Sequence, residues 1–231
     1  MTFGTIAGMG ETDNVVEIVL TGGACGGKTT ALASLAHLLR VRGVRAITIP
    51  EAFTMIVSGG VDGVGDMVRS DGPDNCRFQA ELFRTIRNLR RRARHAASEL
   101  GDDTVVIISD RGELDALAFH DLAAEEALTV AAIRDSYSAV MHLVTTADGA
   151  EDFYTHATNV ARWETVAEAR ASDARLLEAW RGHPRHHILD NSTDFDGKVQ
   201  RLLQATMEVV RSAGTVDIPG RPVQLEIATT A

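Results

Sequence analysis

The segment Gly22-Gly23-Ala24-Cys25-Gly26-Gly27-Lys28-Thr29-Thr30 stands between an apolar run, Val15 to Thr21, and a helix-forming one, Ala31 to Ala36. Gly22, Gly27, Lys28 and Thr29 satisfy G-x-x-x-x-G-K-[ST], and a strand before and a helix after are the context that pattern requires. Such a loop curls until successive backbone N–H groups face one anion. Gly23, Ala24, Cys25, Gly26, Gly27, Lys28, Thr29 and Thr30 are therefore expected to bind the phosphates of a nucleotide. Lys28, expected at the surface facing its ligand, would neutralise the β- and γ-phosphates, and the Thr29 hydroxyl would take a place on Mg²⁺. The helix N-terminus adds its partial positive charge. A glycine turn that merely joined strand to helix would need no lysine at this position.

At 231 residues and 45% hydrophobic, the chain can bury one sizeable core. Its net charge of −9 argues against a general nucleic-acid binder, so phosphates must be gripped by local positive charge. Lysine occurs only at Lys28 and Lys198, and the remaining basic side chains are arginine, the planar and bidentate kind. Neither a signal-like N-terminal run nor an apolar stretch of membrane-spanning length is present, so a cytoplasmic location is expected. Cys25 and Cys76 have no metal-ligand spacing; Cys25 reads as a small side chain that fits the loop.

Short apolar runs alternate with longer helical patterns, which predicts an α/β fold: a five-stranded parallel sheet with helices on both faces. After the loop helix, about Lys28 to Arg42, strands are expected at Val44–Ile49, Thr104–Ser109, Ala139–Thr145 and His186–Leu189. The turn formers from Ser58 to Asp74 read as a mobile loop, followed by a long helix from about Cys76 to Leu100. Ser192 or Thr193 is the expected N-cap of the last helix. The organisation expected is one domain over residues 14–213, with a helical lid at about 148–182, and a tail over 214–231.

Chemistry in such a sheet gathers where strands end. Glu51, just past the second strand, would face the γ-phosphate and accept a proton from an attacking hydroxyl or hold a magnesium-bound water; otherwise it is simply a helix-starting carboxylate. Asp110 has the position of a magnesium anchor beside Thr29, and Arg111 that of a stabiliser of the transferring phosphoryl group; the alternative is an ion pair closing the sheet edge. A mechanical ATPase would carry Asp-Glu here, whereas Asp-Arg is the pattern of small-molecule and nucleotide kinases. The Asn-Lys-x-Asp of a guanine-specific switch is absent after the fourth strand, where Thr145-Thr146-Ala147-Asp148 stands.

The phosphate loop, Ile49-Pro50-Glu51, Ser58-Gly59-Gly60, Ser109-Asp110-Arg111-Gly112, Gly182-His183-Pro184 and Leu189-Asp190-Asn191-Ser192-Thr193-Asp194-Phe195 together resemble the P-loop domain of the AAA-type ATPase/kinase family that includes the TRPL translocation defect proteins. That domain is in turn similar to nicotinamide riboside kinases. The resemblance implies a nucleotide-binding core of the nucleoside-kinase type, and Asn191 is grouped with the loop residues as nucleotide-binding. Larger relatives continue into a triphosphate-binding CYTH barrel, which this chain is expected to lack.

The function expected is an ATP- and Mg²⁺-dependent kinase that transfers the γ-phosphoryl group to a hydroxyl of a small molecule; the alternative is a nucleotide-binding regulatory ATPase or GTPase acting through a protein partner. Gln79 and Arg84 on the long helix would hold the acceptor with Glu51. Arg77, Arg84, Arg87, Arg91 and Arg94 share a helix face that could equally be a solvated surface. Arg162 and Arg170 would close over the phosphates from the lid, or else pair with nearby glutamates. The partners expected are a nucleotide and a small-molecule acceptor, with no nucleic acid and no membrane, and a homodimer is compatible with the sequence.

Overall fold

A computed structural model of the chain describes residues 14–59, 68, 72–101, 104–119, 129–153 and 165–213. In chain order these form β1 (Val15–Thr21), α1 (Lys28–Val41), β2 (Arg45–Ile49), α2 (Ala52–Ser58), α3 (Pro73–Ser98), β3 (Val105–Asp110), α4 (Glu113–Leu117), α5 (Val130–Asp135), β4 (Ala139–Leu143), a 3₁₀ turn (Glu151–Phe153), α6 (Val166–Ala179), β5 (His186–Leu189) and α7 (Phe195–Ser212). The sheet has five strands in the order β2-β3-β1-β4-β5, every neighbour pair parallel. Strand order reverses at β1, and ligands of open parallel sheets bind in the crevice beyond the strand ends at such a switch point. The glycine loop leaves β1 there.

Alternation along β1 distributes its side chains between two layers. Val16, Ile18 and Leu20 pack with Leu35 and Leu39 of α1 and Leu202 and Val210 of α7. Val19 turns to the opposite face, among Phe83, Ile86, Leu114 and Trp180. Val105, Val106, Ile107 and Ile108 of β3 are all fully buried, as an apolar strand covered on both faces must be.

The structure corrects several expectations. Ala52–Ser58 forms the helix α2, so Glu51 begins a helix as well as ending the approach from β2. The long helix starts at Pro73, where the missing N–H of proline costs nothing, and most of the expected loop between Ser58 and Asp74 lies outside the described residues. The N-cap of α7 is Asp194, whose Oδ1 accepts the Gly197 N–H at 2.8 Å, rather than Ser192 or Thr193. Both hydroxyls are engaged elsewhere, Ser192 donating to Asp190 and Thr193 to the Asp194 carbonyl. Within the range of the expected lid, Ala169, Leu176 and Trp180 are fully buried. Residues 154–164, the remainder of that lid, and the tail from 214 lie outside the described residues.

Glu17 is the exception in β1, a carboxylate on a buried strand. It accepts from Arg90 and Arg94 of α3, and Arg90 also donates to Glu113 (3.1 Å), the Ser136 hydroxyl (2.9 Å) and the Ser136 carbonyl (2.6 Å). The Arg90 guanidinium lies 3.6 Å from the centroid of the Tyr137 ring. Every charge in the group is paired, which is the condition for burying it at all. Arg90→Leu, which strands Glu113 and leaves Glu17 half-compensated, is expected to destabilise the fold by about 3–5 kcal/mol in urea denaturation, and a loss below about 1 kcal/mol would show that the network contributes little.

Candidate functional site

The glycine loop is built by close approaches that exclude side chains. Gly22 has φ +122°, and a Cβ there would lie 2.1 Å from the Leu143 carbonyl oxygen of β4. Gly27, at φ +81°, carries the edge of the Phe195 ring where a side chain would stand. Below the loop, Asp115 Oδ1 accepts from Thr21 Oγ1 (2.7 Å) and Trp180 Nε1 (2.6 Å), tying the end of β1 to α4 and the core.

Four charged side chains meet at its mouth. Lys28 is buried, not at the surface: its Nζ donates to the carbonyls of Gly22 (2.8 Å) and Gly23 (2.7 Å). Arg111 Nη1 donates to the same Gly22 oxygen at 3.0 Å, while its Nε donates to Glu51 Oε1 at 3.1 Å. Arg111 adopts φ +80°, a left-handed conformation uncommon outside glycine, at the turn between β3 and α4. Asp110 Oδ2 accepts the Thr29 hydroxyl at 2.8 Å, and its Oδ1 is buried with no hydrogen-bond partner among the described residues. An orphaned carboxylate oxygen beside a threonine hydroxyl at a phosphate loop is the donor set a hard divalent cation takes, so the residues fit Mg²⁺.

Each charge is displaced from its ordinary ionisation. Burial and the neighbouring Arg111 push the Lys28 ammonium down to about 8, against the pull of Asp110, Glu51 and Asp115. Burial would raise Glu51, but the positive charges of Arg111 and Lys28 and the Thr54 hydrogen bond outweigh it and hold the carboxyl below its usual range. Burial and Glu51 raise Asp110 despite Lys28, so its charged form is costly until a cation joins it.

The remaining expected residues fall differently. Gln79 is buried on α3, its amide donating to Asn75 Oδ1 at 3.3 Å. Arg84 is on the exposed face of α3, paired with Glu81 at 2.6 Å, and is not among the charges at the loop. Arg170 donates to the Ala147 carbonyl and to Glu151, both at 2.6 Å. Arg162 lies outside the described residues. Asn191 donates from its amide to the carbonyls of Thr145 (2.8 Å) and Asp148 (2.7 Å) and accepts from Lys198 Nζ (2.8 Å), so its side chain fastens two loops together. Cys25, Ala24 and Gly26 are buried in the loop, and Thr30 is exposed in the first turn of α1. Asp115, Thr145 and Asp173, which hold the loop in place, carry no sequence motif; only the sheet brings them to it.

The fold and this loop define a P-loop nucleotide-binding protein of the α/β class, with nucleotide hydrolysis or phosphotransfer as the chemistry such a site serves. A family model described as an AAA domain matches residues 17–198, and the chain belongs to that family. No curated protein matches the chain. Among the described residues no helix is long and apolar enough to cross a membrane.

The lowered Lys28 pKa has a measurable sign. The ammonium must be charged to hold phosphate, and bound phosphate favours that charged form. MgATP affinity is therefore expected to be constant up to about pH 8, where the free protein begins to lose the proton, and then to fall by as much as about tenfold per pH unit. Titration calorimetry at pH 7, 8 and 9 measures it; equal affinity at 7 and 9 would contradict the assignment.

Proposed function

We propose that the protein is an ATP- and Mg²⁺-dependent kinase that phosphorylates a hydroxyl of a small molecule. The observation that carries this reading is the ion pair between Arg111 and Glu51 across the mouth of the loop. A cation stands at the tip of β3 where a water-activating glutamate would be expected of a mechanical ATPase, and the one carboxylate opposite is restrained rather than free. The resemblance of the motifs to nicotinamide riboside kinases supports the same reading.

The roles follow from the charges. Backbone N–H groups from Ala24 to Thr30 and the Lys28 ammonium bind the phosphates, drawing Lys28 off the Gly22 and Gly23 carbonyls, while the Gly23 N–H stays on Asp173. Thr29 and Asp110 would hold Mg²⁺, which would supply neutralisation of the phosphate charge. Arg111 moves from Gly22 to the transferring phosphoryl group, and Arg170, released from Ala147 and Glu151, is the second arginine proposed to reach it. Departure of Arg111 removes part of what keeps the Glu51 pKa low, so Glu51 becomes a better base at the moment it is needed. Glu51 takes the proton of the acceptor hydroxyl as its oxygen bonds to the γ-phosphorus and the bond to the ADP oxygen breaks. Gln79, on the buried face of α3, borders the acceptor, and Asn191 acts by fixing the loops beside the nucleotide.

Incubation with ATP and a metabolite library, read by mass spectrometry for a gain of one phosphate, should identify an acceptor, with slow ATP hydrolysis in its absence. Glu51→Gln is expected to lower kcat for that acceptor by roughly two orders of magnitude with little change in MgATP affinity. A near-normal rate would return Glu51 to helix initiation alone. Should no metabolite gain phosphate while a protein partner accelerates hydrolysis, the regulatory ATPase replaces the kinase.

A further inference from the structure

Asp173, on the inner face of α6, touches the loop from the side opposite the charged cluster. Its Oδ1 accepts the Gly23 N–H at 2.5 Å and the Thr145 N–H at 3.3 Å, with His142 Nε2 of β4 3.2 Å away. Helix and loop meet at the backbone itself: a Cβ on Gly23 would stand 2.9 Å from Asp173 Cβ and 3.1 Å from the Ala169 carbonyl oxygen. The His142 ring and the two N–H donors hold Asp173 below its usual carboxylate range although burial opposes them, so it stays ionised.

The N–H of Gly23 and the C=O of Gly22 belong to one peptide unit. That unit is planar and trans, so its N–H and C=O point in opposite directions and turn together. The N–H is held by Asp173, and the oxygen is the one on which Lys28 and Arg111 both rest. We infer that Asp173 is a positioning residue of the nucleotide site: by fixing the Gly22–Gly23 peptide from behind, it sets where the two cations wait and ties the loop to α6. The carboxylate binds loop backbone N–H groups and acts through that peptide. Thr145 supports the same arrangement, donating from its hydroxyl to the Ala24 carbonyl while its N–H binds Asp173. The inference rests on the loop binding nucleotide and is independent of whether the γ-phosphate goes to a metabolite or to water.

Three full-length proteins, wild type, Asp173→Ala and Asp173→Asn, test it by amide hydrogen exchange and MgATP calorimetry. In the nucleotide-free state Asp173→Ala should exchange faster across residues 22–27, while Asp173→Asn, whose amide oxygen can still accept both N–H groups, should stay close to wild type. MgATP affinity should fall about tenfold or more in Asp173→Ala and stay within about threefold in Asp173→Asn. Protection of residues 166–179 on adding MgATP should be present in wild type and lost in Asp173→Ala, a coupling that a purely structural contact would not carry. Should Asp173→Ala not fold, Asp173→Leu, which keeps the branched shape of the side chain but offers no acceptor, carries the same expectations. Unchanged exchange across the loop overturns the inference, as does an equal loss in the alanine and asparagine variants. If wild type itself does not bind MgATP, the nucleotide reading falls, while exchange in the free proteins still decides whether Asp173 holds the loop.

Discussion

The parallel pairing of β1 with β3 is the contact on which the site depends. In its register Leu20 stands opposite Asp110, so the strand that feeds the glycine loop and the strand that ends in Asp110-Arg111 finish side by side. The Arg111 N–H closes the ladder on the Leu20 carbonyl at 2.9 Å. With no strand between them, the hydroxyl of Thr29 at the start of α1 reaches Asp110 directly. A slip of one residue would move Asp110 by about 3.3 Å and turn it to the other face of the sheet, separating it from Thr29.

Around this pairing the protein solves a problem of charge. A phosphate loop needs cations, and cations without their anion are expensive to bury. Here the protein gives them partners of its own: two loop carbonyls take Lys28, and Glu51 and Gly22 take Arg111. Binding phosphate then exchanges one set of partners for another instead of desolvating charges anew. The low Glu51 pKa and the raised Asp110 pKa are two consequences of the same crowding, one carboxylate near its cation and the other short of one.

Much of this architecture could be read from residue order. Apolar runs bounded by turn formers marked the strands, with His186–Leu189 placed to the residue, and the glycine loop with its lysine announced the phosphate site. Glu51, Asp110 and Arg111 were singled out because chemistry in parallel sheets collects at strand ends, and the structure brings the three together at the loop. What escaped were residues whose roles exist only after folding. Asp115 and Asp173 sit on helices in sequences indistinguishable from surface ones, and Arg90 is one arginine among many on α3. Glu17 sits within an apolar run, and only the fold shows it turned toward the arginines of α3. The short helix α2 was hidden because seven residues are too few to show a period. Lys28 was assigned to the surface because sequence describes the liganded role, not the carbonyls that shelter the side chain beforehand.

The central claim, that this loop binds nucleotide through Lys28, is tested most directly by titrating MgATP into the wild-type protein and Lys28→Ala by calorimetry, with thermal unfolding of both in parallel. The account predicts saturable binding to the wild type and an affinity roughly tenfold to hundredfold lower in the variant, with the fold retained. Equal affinity in the two proteins would contradict it.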